Sequence, residues 1–256
     1  MNYIPEKNIK GQANAVPLMS ILKIGQKRIC KIKCGEGSGT GFFCNINIDG
    51  WNYLRVLITN RHVLNEDEIK VGKKISFSTN NDEQNYEIEM DNKRNIYTSK
   101  KYDITIIEIK KEDNIKSDSF FEIDNNIFDP KYNYAKKPIY LLHYPKGKEM
   151  HFSQGTIKTV GVDENPYEIE HLCDSDHGSS GAPLINSETN QVIGIHKGGS
   201  TTYNFNCATL LKEPIIEFKN QIKNMDDIIK DNKINNLNNN KKEKDIENMK
   251  KIFRMN

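Results

Sequence analysis

Along the chain, short runs of β-branched and aliphatic residues alternate with polar stretches, and each run is about one strand long. Cys30, Ile32 and Cys34 alternate with Lys31 and Lys33, a period of two that predicts a strand ending at Gly35-Glu36-Gly37. Gly41 to Ile48 and Tyr53 to Thr59 predict a hairpin with Asp49-Gly50 as its turn. Ile75 to Thr79, Tyr86 to Met90 and Ile104 to Ile109 predict further strands between loops rich in Asn, Asp and Lys. Residues 110–137 read as a crossing segment, pinned to the body by Phe120, Phe121, Ile123, Ile127 and Phe128. A second set of strands starts at Pro138 to Pro145. It continues through His151 to Val160, Tyr167 to Leu172, Ala182 to Ile185, Gln191 to Gly199 and Asn204 to Leu211. No long helical pattern alternates with these strands, so a parallel α/β sheet is disfavoured.

The two ends break the pattern. Residues 1–17 are polar and read as irregular, and Leu18 to Ile24 fit a short helix or strand. Pro214 opens a helical pattern carried by Ile215, Ile216, Phe218 and Ile222, and proline is tolerated in a first helical turn. Beyond about Asn224 the chain turns to Lys, Asn, Asp and Glu and holds too little apolar surface for a core, so it is predicted to be disordered. Within it, residues 244–255 bring Ile246, Met249, Ile252 and Phe253 to one helical face, which suits a docking element for a partner as well as a fraying end. The expected organisation is an N-terminal extension (1–24), a first β-unit (25–130), a second β-unit with a helix (131–224) and a Lys/Asn-rich tail (225–256).

Composition narrows the function classes. A chain of 256 residues can bury a sizeable core. Its net charge of +2 comes from 37 basic and 35 acidic residues mixed along the chain, which argues against a nucleic-acid surface. No apolar run reaches the roughly 18 residues of a membrane-spanning helix, so no membrane partner is expected. The five cysteines, Cys30, Cys34, Cys44, Cys173 and Cys207, are an odd number that leaves at least one thiol unpaired. The first residues lack a basic start followed by a continuous apolar stretch and a small-residue cleavage site. A reducing, cytoplasmic location is therefore expected.

The segment Cys173 to Asn186 holds the most specific chemistry. Ser180, set among glycines, fits a nucleophile on a tight turn, and the N–H groups of Gly178 and Ser180 fit a pair of oxyanion donors. A Gly-x-Ser-Gly turn alone is common. A serine nucleophile needs a base and a carboxylate to orient it. Val56 to Thr59 form an apolar strand that delivers His62 after Asn60-Arg61, and Asp103 heads the strand beginning at Ile104. His62, Asp103 and Ser180 in that order form a candidate triad.

These segments together resemble the trypsin-like (chymotrypsin-fold) serine protease family. TNRHVL is similar to its Thr-Ala-Ala-His segment, YDITII to its Asp-Ile-Ala-Leu segment and GSSGAPL to its Gly-Asp-Ser-Gly-Gly-Pro segment. GSGTGFFC, Gly37 to Cys44, resembles the strand entrance that precedes the histidine in bacterial members. The resemblance runs from about Ile29 to Phe218. It implies an all-β fold of two antiparallel β-barrels with a C-terminal helix, a serine endopeptidase acting on protein or peptide substrates, and no cofactor or metal. A catalytically silent trypsin-like domain serving as a peptide-binding module is the alternative.

For the substrate pocket the resemblance gives two competing hints. Ser175 and His196 fall where glutamyl endopeptidases carry a Ser/Thr and a His that grip a glutamate side chain, and GIHKGG is similar to that subgroup. Asp174 instead aligns with the acidic pocket base of trypsin, which favours Lys or Arg. A pocket carboxylate repels a substrate carboxylate unless His196 is protonated or Asp174 points away. An acidic residue at the P1 position is favoured. Gly198 and Gly199 would admit an extended substrate beside their strand under either choice. Where secreted members carry Asp directly before the nucleophile this chain has Ser179, so activation by an ion pair with a cut N-terminus is not expected. His171, Cys173, Asp174 and His177 match no common zinc spacing and overlap the nucleophile turn.

Overall fold

Two antiparallel sheets carry most of the regular structure. The computed structural model describes residues 18–35, 37–48, 52–162, 165–200, 204–225 and 227–228. Helix α1 (Leu18–Arg28) leads into β1 (Ile29–Cys34), β2 (Gly37–Asn47) and β3 (Tyr53–Thr59). These are followed by β4 (Lys74–Thr79), β5 (Gln84–Glu89), β6 (Ile96–Ser99) and β7 (Ile104–Glu108), and the short β8 (Phe121–Glu122) lies in the crossing. The first sheet runs β5-β4-β1-β2-β3-β7-β6, with β8 parallel to β2. It is a half-barrel, the first of the two expected barrel-like sheets. The second sheet comprises β9 (Pro138–His143), β10 (His151–Val162), β11 (Asn165–His171), β12 (Pro183–Asn186), β13 (Val192–Ser200) and β14 (Phe205–Leu210). It closes in the order β10-β11-β14-β13-β12-β9, with β9 returning to β10.

The predicted hairpin pairs β2 with β3, from Phe42 opposite Ile58 to Asn47 opposite Tyr53; its turn, Asp49-Gly50, lies outside the described residues. Inside the first sheet Ile32, Phe43, Leu57, Phe77, Ile107 and their neighbours form one buried cluster, reached from the crossing by Phe120. Phe121, Ile123 and Ile127 are buried as well, while Phe128 is only partly so. β1 departs from simple alternation, because Lys31 is only 9% exposed. Its ammonium pairs with Asp82, donates to the Gly147 carbonyl at 3.0 Å and lies 5.8 Å from the centre of the Tyr144 ring, partners that a buried charge requires. In the second barrel Ile139, Leu141, Ile157, Ile169, Leu184, Ile193 and Ile195 are fully or almost fully buried.

Backbone contacts divide the chain after Ile215. Helix α2 covers residues 212–225, with Pro214 in its first turn and Ile215 and Phe218 buried. The expected irregular segment 1–17 and most of the expected tail, including the amphipathic stretch 244–255, lie outside the described residues.

Candidate active site

His62 and Asp103 are brought together by two strand ends. After β3 the chain turns tightly: the N–H groups of Val63 and Leu64 donate to the Asn60 carbonyl at 3.1 and 3.0 Å, and both side chains are buried. This anchors a turn whose exposed corner presents His62, with 46% of its side chain accessible. Asp103, just before β7, takes a left-handed conformation with φ 51°, which Asp tolerates better than most residues. The Asn60 side-chain amide donates to the Asp103 carbonyl at 2.9 Å. The Asp103 carboxylate thereby reaches His62 twice. Oδ2 lies 2.6 Å from Nδ1, and Oδ1 accepts the His62 backbone N–H at 3.0 Å. The contact occupies Nδ1, and among the described residues Nε2 makes no hydrogen bond.

In the loop from Asp176 to Ala182 the peptide groups can be followed one by one. The His177 carbonyl accepts the Lys146 N–H, the Gly178 carbonyl accepts the Thr40 hydroxyl at 2.7 Å, and the Ser179 carbonyl accepts Ala182 N–H at 3.0 Å. The Ser180 carbonyl accepts Thr40 N–H at 2.8 Å. Ser179 N–H donates to the Asp176 carbonyl and Gly181 N–H to the His196 carbonyl, both at 2.9 Å. Among the described residues the N–H groups of Gly178 and Ser180 have no partner. In a trans peptide the C=O and N–H point in opposite directions, so the engaged carbonyls of His177 and Ser179 aim these two N–H groups away from their anchors.

Two glycines are required for this shape. Gly178 has φ 86°, and a Cβ there would come within 2.6 Å of the Tyr144 carbonyl. Gly181 has φ 90°, and its Cβ would collide with the Thr40 carbonyl. Ser180 itself is half-buried, and among the described residues its hydroxyl makes no hydrogen bond. Ser179 is fully buried: its Oγ accepts the Asp176 N–H at 3.0 Å and lies 2.7 Å from His143 Nδ1. Sequence reasoning missed Thr40, His143 and Lys146 as supports of this loop. Thr40 stood inside a segment singled out for other reasons, whereas nothing local marked His143 or Lys146.

The trypsin-like peptidase domain family matches residues 39–195, more than half of the chain and every residue of the candidate triad. The chain belongs to this family. Among solved structures the trypsin-like domain is similar to the inactive form of the Rv3671c protease of M. tuberculosis, with 17% identity, a TM-score of 0.54 and coverage of 75% of this chain and 88% of that one. It is similar to a serine endoprotease from Yersinia pestis at 15% identity, a TM-score of 0.55 and coverage of 79% and 68%. It also resembles a Glu endopeptidase solved in complex with MPD, at 19% identity, a TM-score of 0.55 and coverage of 77% and 91%. At these identities the likeness establishes the fold. No curated protein matches the chain.

The candidate pocket residues of the trypsin-like domain fall into two groups. Asp174 is exposed and shares a cleft of about 520 Å³ with Ser175, Lys146, Lys148, His143 and His151. His196 does not line that cleft. It is 2% exposed, and its Nδ1 lies 3.1 Å from Nε2 of His171, which is completely buried. The Ser175 hydroxyl donates to Asn206 Oδ1 at 3.0 Å, and the Asn206 backbone pairs opposite both His171 and Gly199 in the barrel. Asn206 Nδ2 also donates to the Cys173 carbonyl at 2.7 Å. Gly199 faces Asn206 so closely that a Cβ would collide with its side chain, whereas Gly198 has open space.

Burial dominates the electrostatics here. It lowers His171 to about 4 and takes His196 well below the usual histidine value, with the neighbouring His171, His143 and His62 adding to the effect on His196. His143 is likewise lowered to about 4, mainly by burial. All three imidazoles are therefore neutral near pH 7. All five cysteines are free thiols, and burial pushes Cys173 up to about 12. Among the described residues no helix is long and apolar enough to cross a membrane.

Proposed function

We propose that the chain is a serine endopeptidase in which Ser180 is the nucleophile, His62 the general base and Asp103 its orienting carboxylate. Ser180 Oγ attacks the scissile carbonyl while His62 Nε2 takes the hydroxyl proton, forming a tetrahedral oxyanion. Collapse breaks the C–N bond, and His62 returns the proton to the departing amine. Water, deprotonated by His62, then cleaves the acyl-enzyme and restores the Ser180 hydroxyl. Asp103 holds the Nδ1–H tautomer and stabilises the imidazolium formed in each half-reaction.

The observation that carries this reading is that, among the described residues, the N–H groups of Gly178 and Ser180 have no partner, in a loop where the carbonyls of His177, Gly178, Ser179 and Ser180 are all engaged. Such donors stabilise charge that develops only in the transition state, each contributing about 3 to 4 kcal/mol. A Ser180 hydroxyl without a hydrogen bond fits a ligand-free site, since catalytic contacts tighten when substrate binds.

For specificity we propose an acidic P1 residue, received by Ser175, His196, Gly198 and Gly199. Asp174 lines the cleft that Ser175 also borders, whereas His196 does not, which supports placing the P1 carboxylate on the His196 side of Ser175. A substrate carboxylate reaching neutral, buried His196 would draw a proton onto it, so cleavage after Glu is expected to weaken as pH rises.

The test is reaction of the purified chain with a fluorophosphonate, beside Ser180→Ala and His62→Ala, followed by cleavage of a peptide library. Labelling lost in both variants with cuts after Glu or Asp supports the whole reading, and cuts after Lys or Arg remove its specificity part. Peptide binding without labelling makes the chain a catalytically silent binding module.

A further inference from the structure

We infer that Thr40 is a positioning residue for the oxyanion donors, acting through its side-chain hydroxyl on the Gly178–Ser179 peptide; the inference rests on the serine-peptidase reading above. Thr40 lies on β2 of the first sheet, yet nearly everything its polar atoms touch outside that sheet belongs to the nucleophile loop or its backing. Its side chain is fully buried. Oγ1 accepts the Tyr144 N–H at 3.1 Å and donates its one proton to the Gly178 carbonyl at 2.7 Å. Its backbone N–H donates to the Ser180 carbonyl at 2.8 Å, and its carbonyl accepts the Thr59 hydroxyl at 2.8 Å. The residue is thus held from behind by Thr59 and grips the loop on both sides of Ser179.

The hydroxyl matters because of where Gly178 sits. A glycine at φ 86° has no side chain to restrain rotation, so the peptide that follows it is oriented by what its two ends hold. Those ends are the Gly178 carbonyl on Thr40 Oγ1 and the Ser179 N–H on the Asp176 carbonyl. Without Oγ1, both the Gly178 carbonyl and the Tyr144 N–H lose a partner in a part-buried site, and rotation toward new partners becomes favourable. The Gly178–Ser179 peptide joins the two peptides that carry the proposed donors, His177–Gly178 and Ser179–Ser180, so its rotation shifts their N–H groups relative to one another. The substrate-contacting groups are unchanged in kind; only their alignment is lost. Ground-state binding should therefore suffer less than the chemical step.

The test compares Thr40→Val, which keeps the β-branched shape and removes the hydroxyl, with Thr40→Ser, which keeps the hydroxyl and removes the methyl. In peptide hydrolysis Thr40→Val should lower kcat about tenfold to a hundredfold, less than or equal to the loss of a whole oxyanion donor, with KM within about threefold. Thr40→Ser should restore kcat to within about threefold of the parent. Affinity for a peptide boronate, which mimics the tetrahedral oxyanion, should fall in parallel with kcat. Should Thr40→Val fail to fold, Thr40→Ala carries the same comparison. Parental kcat in Thr40→Val, or an equal loss in Thr40→Ser, overturns the role of the hydroxyl while leaving the peptidase reading intact. A parent chain without Ser180-dependent hydrolysis overturns both.

Discussion

His62 and Asp103 are joined at two points by one carboxylate: Oδ2 is 2.6 Å from the imidazole Nδ1, and Oδ1 accepts the His62 backbone N–H at 3.0 Å. The second bond ties the carboxylate to the turn that presents the ring, so ring and carboxylate hold their geometry together. Asp103→Asn can keep one of these contacts but must present an amide to one of two donors. In the proposed mechanism the substitution should lower kcat by about 10⁴, with little change in KM, because it favours the wrong imidazole tautomer. Steady-state hydrolysis of a peptide substrate checks this, and a loss under tenfold removes Asp103 from the proposed triad.

The strand pattern made most of the fold legible. Period-two alternation and short β-branched runs placed nearly every strand, because each buries at least one face. β6 was missed: Ile-Tyr-Thr-Ser is four residues long, sits at a sheet edge and is flanked by Asn- and Lys-rich loops. Which of the two barrel-like sheets closes was not legible, since that depends on pairing between end strands, which no local pattern encodes. His62, Asp103, Gly178 and Ser180 stood out because nucleophilic chemistry restricts residue type in short motifs. Thr40 and His143 act through contacts 138 and 36 residues away in the chain, to Gly178 and Ser179, and a lone threonine or histidine in a strand carries no mark of such a partner.

Acidification should destabilise the chain between about pH 6.5 and pH 4. Burial lowers His143 and His171 to about 4 and takes His196 well below its usual value, while in the unfolded chain each titrates near 6.5. Across that window the unfolded state binds more protons, so stability rises with pH and is lost as pH falls. Each imidazole contributes a slope of up to about 1.4 kcal/mol per pH unit, and below about 4 His143 and His171 contribute no further slope. Urea unfolding at several pH values measures it. A midpoint that stays level from pH 7 to pH 5 would contradict the neutral, buried state of these rings, and His143→Gln should flatten the dependence.

Arg94 and Asp113 form the most enclosed ion pair among the described residues, with side chains 3% and 5% exposed. The guanidinium reaches both carboxylate oxygens, at 2.6 and 3.0 Å, and donates to the Glu108 carbonyl at 2.6 Å. The pair pins the start of the crossing segment to the end of β7. Asp113→Ala leaves the guanidinium buried without its counter-charge and should cost about 3 to 5 kcal/mol, whereas replacing both residues with apolar ones should cost much less. Chemical denaturation of the single and double variants decides this. Equal losses in the two would mean that packing, rather than the unpaired charge, carries the effect.

Asp174 and His196 offer opposite readings of the pocket, and their different surroundings make the choice testable. Asp174 is exposed on the cleft shared with Ser175, Lys146, Lys148, His143 and His151; His196 is buried against His171, and Ser175 is hydrogen-bonded to Asn206, whose backbone pairs opposite His171. If an acidic P1 side chain enters on the His196 side, Asp174→Asn changes a group the substrate does not meet, and the ratio of kcat/KM for Glu over Gln substrates should stay within about threefold. Asn206→Ala removes the side-chain amide that holds the Ser175 hydroxyl and the Cys173 carbonyl while leaving the strand pairing beside His171, and should reduce that ratio by about tenfold or more, the scale expected when a charged hydrogen bond is lost. Both ratios come from matched peptides differing only at P1. A parent chain preferring Lys or Arg, with the preference abolished by Asp174→Asn, would place the substrate against Asp174 and leave His196 as a structural histidine closing its strand.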